Sequence, residues 1–183
     1  MVKILSLVFL FVSTIFANEK YDRKNWKHWI DEDGDGFTTR QEVLIEENLA
    51  DTLHIAIVKG KFKIIKGLWV CPYTGDSITN PKKLDVDHFV PLGNAWESGG
   101  KHWNKLLKEV YANYLKDKDH LVAVKASANR KKGKKSPDKY MPEINKCWYL
   151  HNWKKIKKKW KLKMTKDESL FIFDQWVYNK CKL

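Results

Sequence analysis

Apolar and polar positions recur with two different periods along the 183-residue chain, and the changes between them outline an α+β protein. Residues 53–58 and 84–90 alternate as strands do, the second stopped by Pro91. Residues 62–79 read as short strands interrupted by Gly67 and by the turn Tyr73-Thr74-Gly75-Asp76. Helical spacing takes over in 103–115, where Leu106, Leu107, Val110, Tyr111 and Tyr114 share one face, and returns in 147–160 and 168–178. Residues 42–51 also read as a helix, and 22–30 carry Trp26, Trp29 and Ile30 at helix-like spacing. A short strand at 121–124 runs into a polar helix start near Ser127. No segment repeats. The expected fold is a set of helices grouped around a small antiparallel sheet, in one domain over residues 18–183.

The first seventeen residues follow a different pattern. Lys3 precedes an almost wholly apolar stretch, 4–15, and Ala17 offers a small residue for cleavage, the layout of an export signal. Twelve apolar residues are too few to span a bilayer as a helix, so a chain of about 166 residues is expected outside the cytoplasm, secreted or periplasmic, with no stable membrane insertion. Such surroundings permit disulfides. With Cys71, Cys147 and Cys181, at most one bridge forms within the chain. A Cys147–Cys181 pair would tie the last helix back and leave Cys71 as a small buried hydrophobe, and pairing of Cys71 with either of the others is the alternative.

A composition of 43% hydrophobic and 13% aromatic residues excludes a disordered chain. Lys and Arg number 35 against 22 Asp and Glu, and the whole excess of +13 falls within residues 125–163, where fifteen bases face only Asp138 and Glu143. A polyanionic partner follows: nucleic acid, an anionic membrane or an acidic polysaccharide.

The segment Asp31-Glu32-Asp33-Gly34-Asp35-Gly36-Phe37-Thr38-Thr39-Arg40-Gln41-Glu42 has the spacing of a twelve-residue calcium loop. Asp31, Asp33 and Asp35 supply carboxylates, Gly36 the sharp turn, Phe37 a backbone carbonyl, Thr39 a water-mediated contact and Glu42 a bidentate end. A single loop of this kind suits a structural Ca²⁺ at the entry to the following helix. Arg40, at its end, can turn toward a substrate phosphate.

Among six histidines, His88 has a distinctive setting, Leu84-Asp85-Val86-Asp87-His88-Phe89-Val90-Pro91-Leu92. On a strand, Val86, His88 and Val90 share one face while Asp85, Asp87 and Phe89 share the other, so Asp87 can hold a metal as His88 faces the attacking water. The second ligand is Asn129, in Val124-Lys125-Ala126-Ser127-Ala128-Asn129-Arg130-Lys131-Lys132-Gly133, which taken alone reads as a helix cap.

Together these two segments resemble the halves of the ββα-metal site in HNH, or His-Me-finger, nucleases. Trp29 with the 31–42 loop, the 39–45 segment, Ala95-Trp96-Glu97-Ser98-Gly99, Tyr111-Ala112-Asn113 and the 147–153 segment are similar to a secreted bacterial HNH family that shares its domain with the C-terminal part of GmrSD-type restriction enzymes. The resemblance covers about residues 21–181. Relatives often carry a cysteine where Phe37 stands, paired with another in the following hairpin, and that bridge is missing here. Cys71 is an addition, and about forty residues separate His88 from Asn129, more than in compact HNH modules.

The resemblance implies an endonuclease with His88 as general base, Asp87 and Asn129 holding one Mg²⁺ or Mn²⁺, and Asp85 supporting the site by a hydrogen bond. Arg130, Lys131, Lys132 and the run containing Lys154, Lys155, Lys157 and Lys158 become phosphate contacts on DNA, with RNA as a further substrate, bound with little sequence preference by a monomer. The competing expectation is a calcium-stabilised cationic protein that binds nucleic acid or another polyanion without cutting it.

Overall fold

The most regular apolar runs of the chain become β5 (Leu84–His88) and β6 (Leu121–Lys125), which pair antiparallel with Asp85 opposite Val124, Asp87 opposite Val122 and His88 opposite Leu121. Helix α4 (Ala126–Lys132) leaves β6 with no intervening residue. It lies along β5 because Asn129 and Lys132, one turn apart on the helix, bond to Asp85 and Asp87, two apart on the strand. Alternation predicts one wet face for β5, but α4 covers one side and the aromatic core the other, so Val86, Asp87 and His88 are all buried.

The coordinates, a computed structural model, describe residues 20–182; the expected export segment lies outside them. Around β5 and β6 stand two further two-stranded antiparallel sheets. Strands β1 (His54–Val58) and β2 (Lys61–Lys66) are joined by Lys59 and Gly60, both left-handed at φ 53° and 72°, the requirement of a type I′ hairpin turn. Strands β3 (Trp69–Val70) and β4 (Ser77–Ile78) form the third. The mixed α+β expectation holds.

Helices α3 (Lys105–Ala112), α5 (Lys146–Lys159) and α6 (Lys166–Tyr178) fall where the periodicity places them, while α2 (Leu92–Glu97) was not anticipated. Helix α1 (Thr39–Glu46) starts earlier and ends sooner than 42–51, because the Asn48 side chain turns back to Ala50 O and accepts Leu68 N, ending the helical ladder. Residues 22–30 are not helical beyond a 3-10 turn, Arg23–Asn25. There the aromatic spacing reflects two separate packing tasks: Trp26 is sealed in the core, and Trp29 adopts φ 60° to face the site.

Trp26, Trp69, Trp153, Tyr73, Tyr111, Tyr149 and Phe89 form the bulk of the core, each contributing about 1.5–3 kcal/mol by leaving water. Helix α6 begins with a reciprocal cap between Thr165 and Glu168. A Cys147–Cys181 disulfide closes a 34-residue separation across α5 and α6, a constraint of about 3–4 kcal/mol in the chain-entropy account, and Cys71 is free and buried. No described helix is long and apolar enough to cross a membrane.

Candidate active site

Helix α3 fills the interval between His88 and Asn129, and its C-terminal end orients the histidine. His88 Nε2 lies 2.9 Å from the carbonyl of Ala112, which can only accept, so Nε2 carries the proton and Nδ1 is the basic nitrogen. Nδ1 has no hydrogen-bond partner among the described residues. Trp29 stacks on the ring at 5.1 Å and 29°, held there by its left-handed backbone. Burial holds the His88 pKa well below its usual value, so the ring is neutral at physiological pH.

The two aspartates of β5 have different partners. Asp87 is buried with its oxygens 2.7 and 3.0 Å from Lys132 Nζ and receives a 2.7 Å hydrogen bond from Tyr73 Oη. Burial pushes the Asp87 carboxyl up and the Lys132 ammonium down, and the ion pair opposes both shifts. Asp85 is half-buried and accepts a 3.1 Å hydrogen bond from Asn129 Nδ2, leaving the Asn129 carbonyl oxygen uncommitted. A cleft of about 330 Å³ is lined by Asp87, His88, Asn129 and Arg130 among others. Asn129 therefore sits beside Asp85 rather than against Asp87, whose partner is Lys132.

The same cleft is lined by Arg23 and Lys134, neither of which the sequence patterns singled out. The Arg23 guanidinium donates to His28 Nε2 at 3.3 and 3.4 Å, while His28 Nδ1 donates to Trp26 O at 2.7 Å. The Trp26 carbonyl thus fixes the tautomer that accepts from Arg23. A histidine between two tryptophans was the available signal. Lys134 is engaged by Glu97 at 2.6 Å.

The other expected phosphate contacts divide sharply. Lys132 is 0% exposed and Lys157 is sealed against Glu168, so neither reaches a phosphate in this arrangement. Lys155 bridges Asp117 and Asp119. Arg40 donates to Pro81 O and Leu84 O, bracing the entry to β5. Arg130, Lys131, Lys154 and Lys158 are exposed, Lys154 with its ammonium over Trp176.

In the acidic loop, Asp31 accepts from Gly34 N and Gly36 N, Asp33 from Asp35 N and Asp35 from Phe37 N. These turns bring carboxylate oxygens of Asp31, Asp33 and Asp35 within 4.8 Å of one another, and Gly36 takes φ 91° at the bend. Burial raises the Glu42 pKa, and repulsion from Asp33, Asp35 and Asp31 adds to it. Hard oxygens crowded at one bend suit Ca²⁺ chemically.

The fold and cleft define a mixed α+β domain that presents a neutral histidine, two carboxylates and an amide beside arginines. The chain belongs to the family of GmrSD restriction endonucleases, C-terminal domain, which it matches over residues 37–174. Asp85, Asp87, His88 and Asn129 lie inside the matched span, whereas Arg23, His28 and Trp29 lie before it. An "Uncharacterized secreted protein" of Arthroderma benhamiae is 33% identical over 150 residues, covering 81% of this chain and 70% of that one. That relative is fungal, so the bacterial source implied by the resemblance is not supported. No solved structure matches the chain.

Proposed function

We propose that the chain is an exported, metal-dependent endonuclease that hydrolyses phosphodiester bonds of DNA, and of RNA, with little sequence preference. One observation carries the reading: the basic Nδ1 of His88 belongs to a ring that shares a cleft with Asn129, Asp87 and the guanidinium-bearing Arg23 and Arg130. His88 Nδ1 takes a proton from water as its oxygen attacks phosphorus, and the P–O3′ bond breaks. The leaving O3′ takes up a proton from solvent and His88 later returns its own to solvent, leaving a 5′-phosphate and a 3′-hydroxyl. The Ala112 carbonyl and the Trp29 ring hold the imidazole, while Arg23 and Arg130 offset charge on the phosphate.

Asn129 and Asp87 would hold Mg²⁺ or Mn²⁺, with Asp85 adding a hard oxygen beside Asn129; Asp87 reaches an ion only where Lys132 yields an oxygen. Such an ion would supply charge stabilisation for the scissile phosphate and the leaving oxygen. Asp31, Asp33 and Asp35 would hold a structural Ca²⁺, with the Phe37 carbonyl and Glu42 as the further ligands that the loop spacing supplies. Export is supported by the apolar N-terminal stretch and by the secreted relative.

Purified protein should nick plasmid DNA with Mg²⁺ and stop with EDTA, and His88→Ala should lower the rate at least about a hundredfold. Equal cleavage by wild type and His88→Ala rejects the assignment. The hold of Lys132 on Asp87 favours a second reading, a cationic polyanion-binding protein without catalysis. Salt-sensitive DNA binding with no cleavage across Mg²⁺, Mn²⁺ and Ca²⁺ would establish it.

A further inference from the structure

Residues 52–75 contain four lysines, Lys59, Lys61, Lys63 and Lys66, and no acid. None of them makes an ion pair with a described residue, and neither does Lys82. The β1–β2 hairpin that carries them is paired to no other strand. Its register places Lys61 opposite Val58 and Lys63 opposite Ala56 on one face, with Ile55, Ile57, Phe62 and Ile64 on the other.

Strand β2 borders a cleft of about 660 Å³, twice the volume of the His88 cleft, to which Lys61 and Lys63 come from one face and Phe62 and Ile64 from the other, and which Arg40 and Lys82 also line. Lys82 stands in the 3-10 turn Pro81–Lys83, which runs directly into β5. Arg40 is bonded to Leu84 O, next to Asp85, and Asp85 is bonded to Asn129. Arg40 thus links this cleft, through Leu84 and Asp85, to Asn129 of the proposed site. The ribbon is braced at this place: Phe62 stacks on Phe37 at 4.7 Å, and Gln41 Nε2 donates to Phe62 O at 2.7 Å.

We infer that the β1–β2 ribbon is the arm that docks the nucleic acid, with Lys61, Lys63 and Lys82 contacting consecutive backbone phosphates leading into the His88 cleft. The inference takes the identity of the polyanion from the nuclease reading. Unpaired charge of one sign along a narrow two-stranded ribbon complements a phosphate backbone, and a ribbon of this kind fits the major groove of a duplex. An anionic bilayer would instead engage exposed apolar side chains such as Ile57, 70% exposed, whereas Lys61 and Lys63 line a cleft together with Arg40 and Lys82. Asp31 also borders this cleft, so phosphate binding there is strengthened when a cation occupies the acidic loop.

The test is fluorescence anisotropy of a labelled 20-base-pair DNA duplex with the mature chain carrying His88→Ala, in EDTA so that nothing is cut. Adding Lys61→Glu, Lys63→Glu and Lys82→Glu should weaken binding more than tenfold, with circular dichroism unchanged. The corresponding Lys→Gln set should lower the slope of log K against log salt by about 2–3. Binding within twofold of the parent in both sets overturns the inference. So does a parent that binds phosphatidylglycerol vesicles through Ile57 while ignoring DNA, or a loss of affinity that appears only with Lys154→Gln and Lys158→Gln. If wild type cuts plasmid but the ribbon variants bind normally, only the ribbon assignment fails. If the ribbon binds DNA and wild type cuts nothing, only the nuclease reading fails.

Discussion

Two regions of this protein are rich in lysine, and the fold pairs part of it in one and none of it in the other. Residues 125–163 carry the entire net charge of the sequence, yet six of their fifteen bases, Lys125, Lys132, Lys134, Lys139, Lys155 and Lys157, are ion-paired in the fold. Their partners include Asp76, Asp87, Glu97, Asp117 and Glu168, all outside the stretch. The β1–β2 ribbon has only four lysines, none of them paired with a described residue. Charge counted along a chain measures composition, whereas a partner in solution meets only what the fold leaves uncompensated.

The sharpest way to break this contrast is to remove one partner of a buried ion pair. Glu168→Ala would strand the Lys157 ammonium, and Lys132→Ala would strand the Asp87 carboxylate; each should lower unfolding free energy by about 3–5 kcal/mol in urea titration. A loss below about 1 kcal/mol for either would place these lysines with the exposed set.

The acids divide in the same way. Asp117 is paired with Lys155, while Glu47 has only the Ala123 N–H at 3.0 Å, and burial pushes its carboxyl up to about 7 from an ordinary 4.5. The folded state thus holds this proton more tightly than the unfolded chain. Its contribution is fully present below pH 4.5 and is lost as pH rises through 7. Glu47→Gln should therefore match wild type near pH 4 and be more stable by about 1–2 kcal/mol at pH 8, read from Tm across that range. An equal Tm difference at both pH values contradicts the shift.

Phe62→Ala removes the stack on Phe37 and should cost about 1 kcal/mol, with faster amide exchange in β1 and β2 than in β5 and β6. The smallest effect belongs to the exposed lysines of α5: Lys154→Gln with Lys158→Gln should alter stability by no more than about 0.5 kcal/mol.

Local patterns located much of this molecule. The runs that became β5, β6 and α4 were legible because their apolar residues bury against one another, and Asp85, Asp87, His88 and Asn129 came with them. What stayed hidden depends on long-range pairing. Nothing near Lys132 in sequence indicates that it ends on Asp87, 45 positions away, or that Arg40 serves carbonyls more than forty residues on. Arg23 was invisible for a related reason: its value lies in His28, whose tautomer is set by a carbonyl of an irregular segment. The helix expected at 22–30 failed because Trp26 and Trp29 answer to different environments, the core and the His88 ring.

The Phe37–Phe62 stack joins the acidic loop to the hairpin without a covalent bond. A cystine follows the thiol–disulfide poise of its surroundings, and an aromatic stack does not. Among the described residues the disulfide is Cys147–Cys181, which ties α5 to the segment after α6. Under reducing conditions the C-terminal helix should loosen first while the ribbon keeps its footing, so oxidative maturation and ribbon placement are uncoupled in this protein.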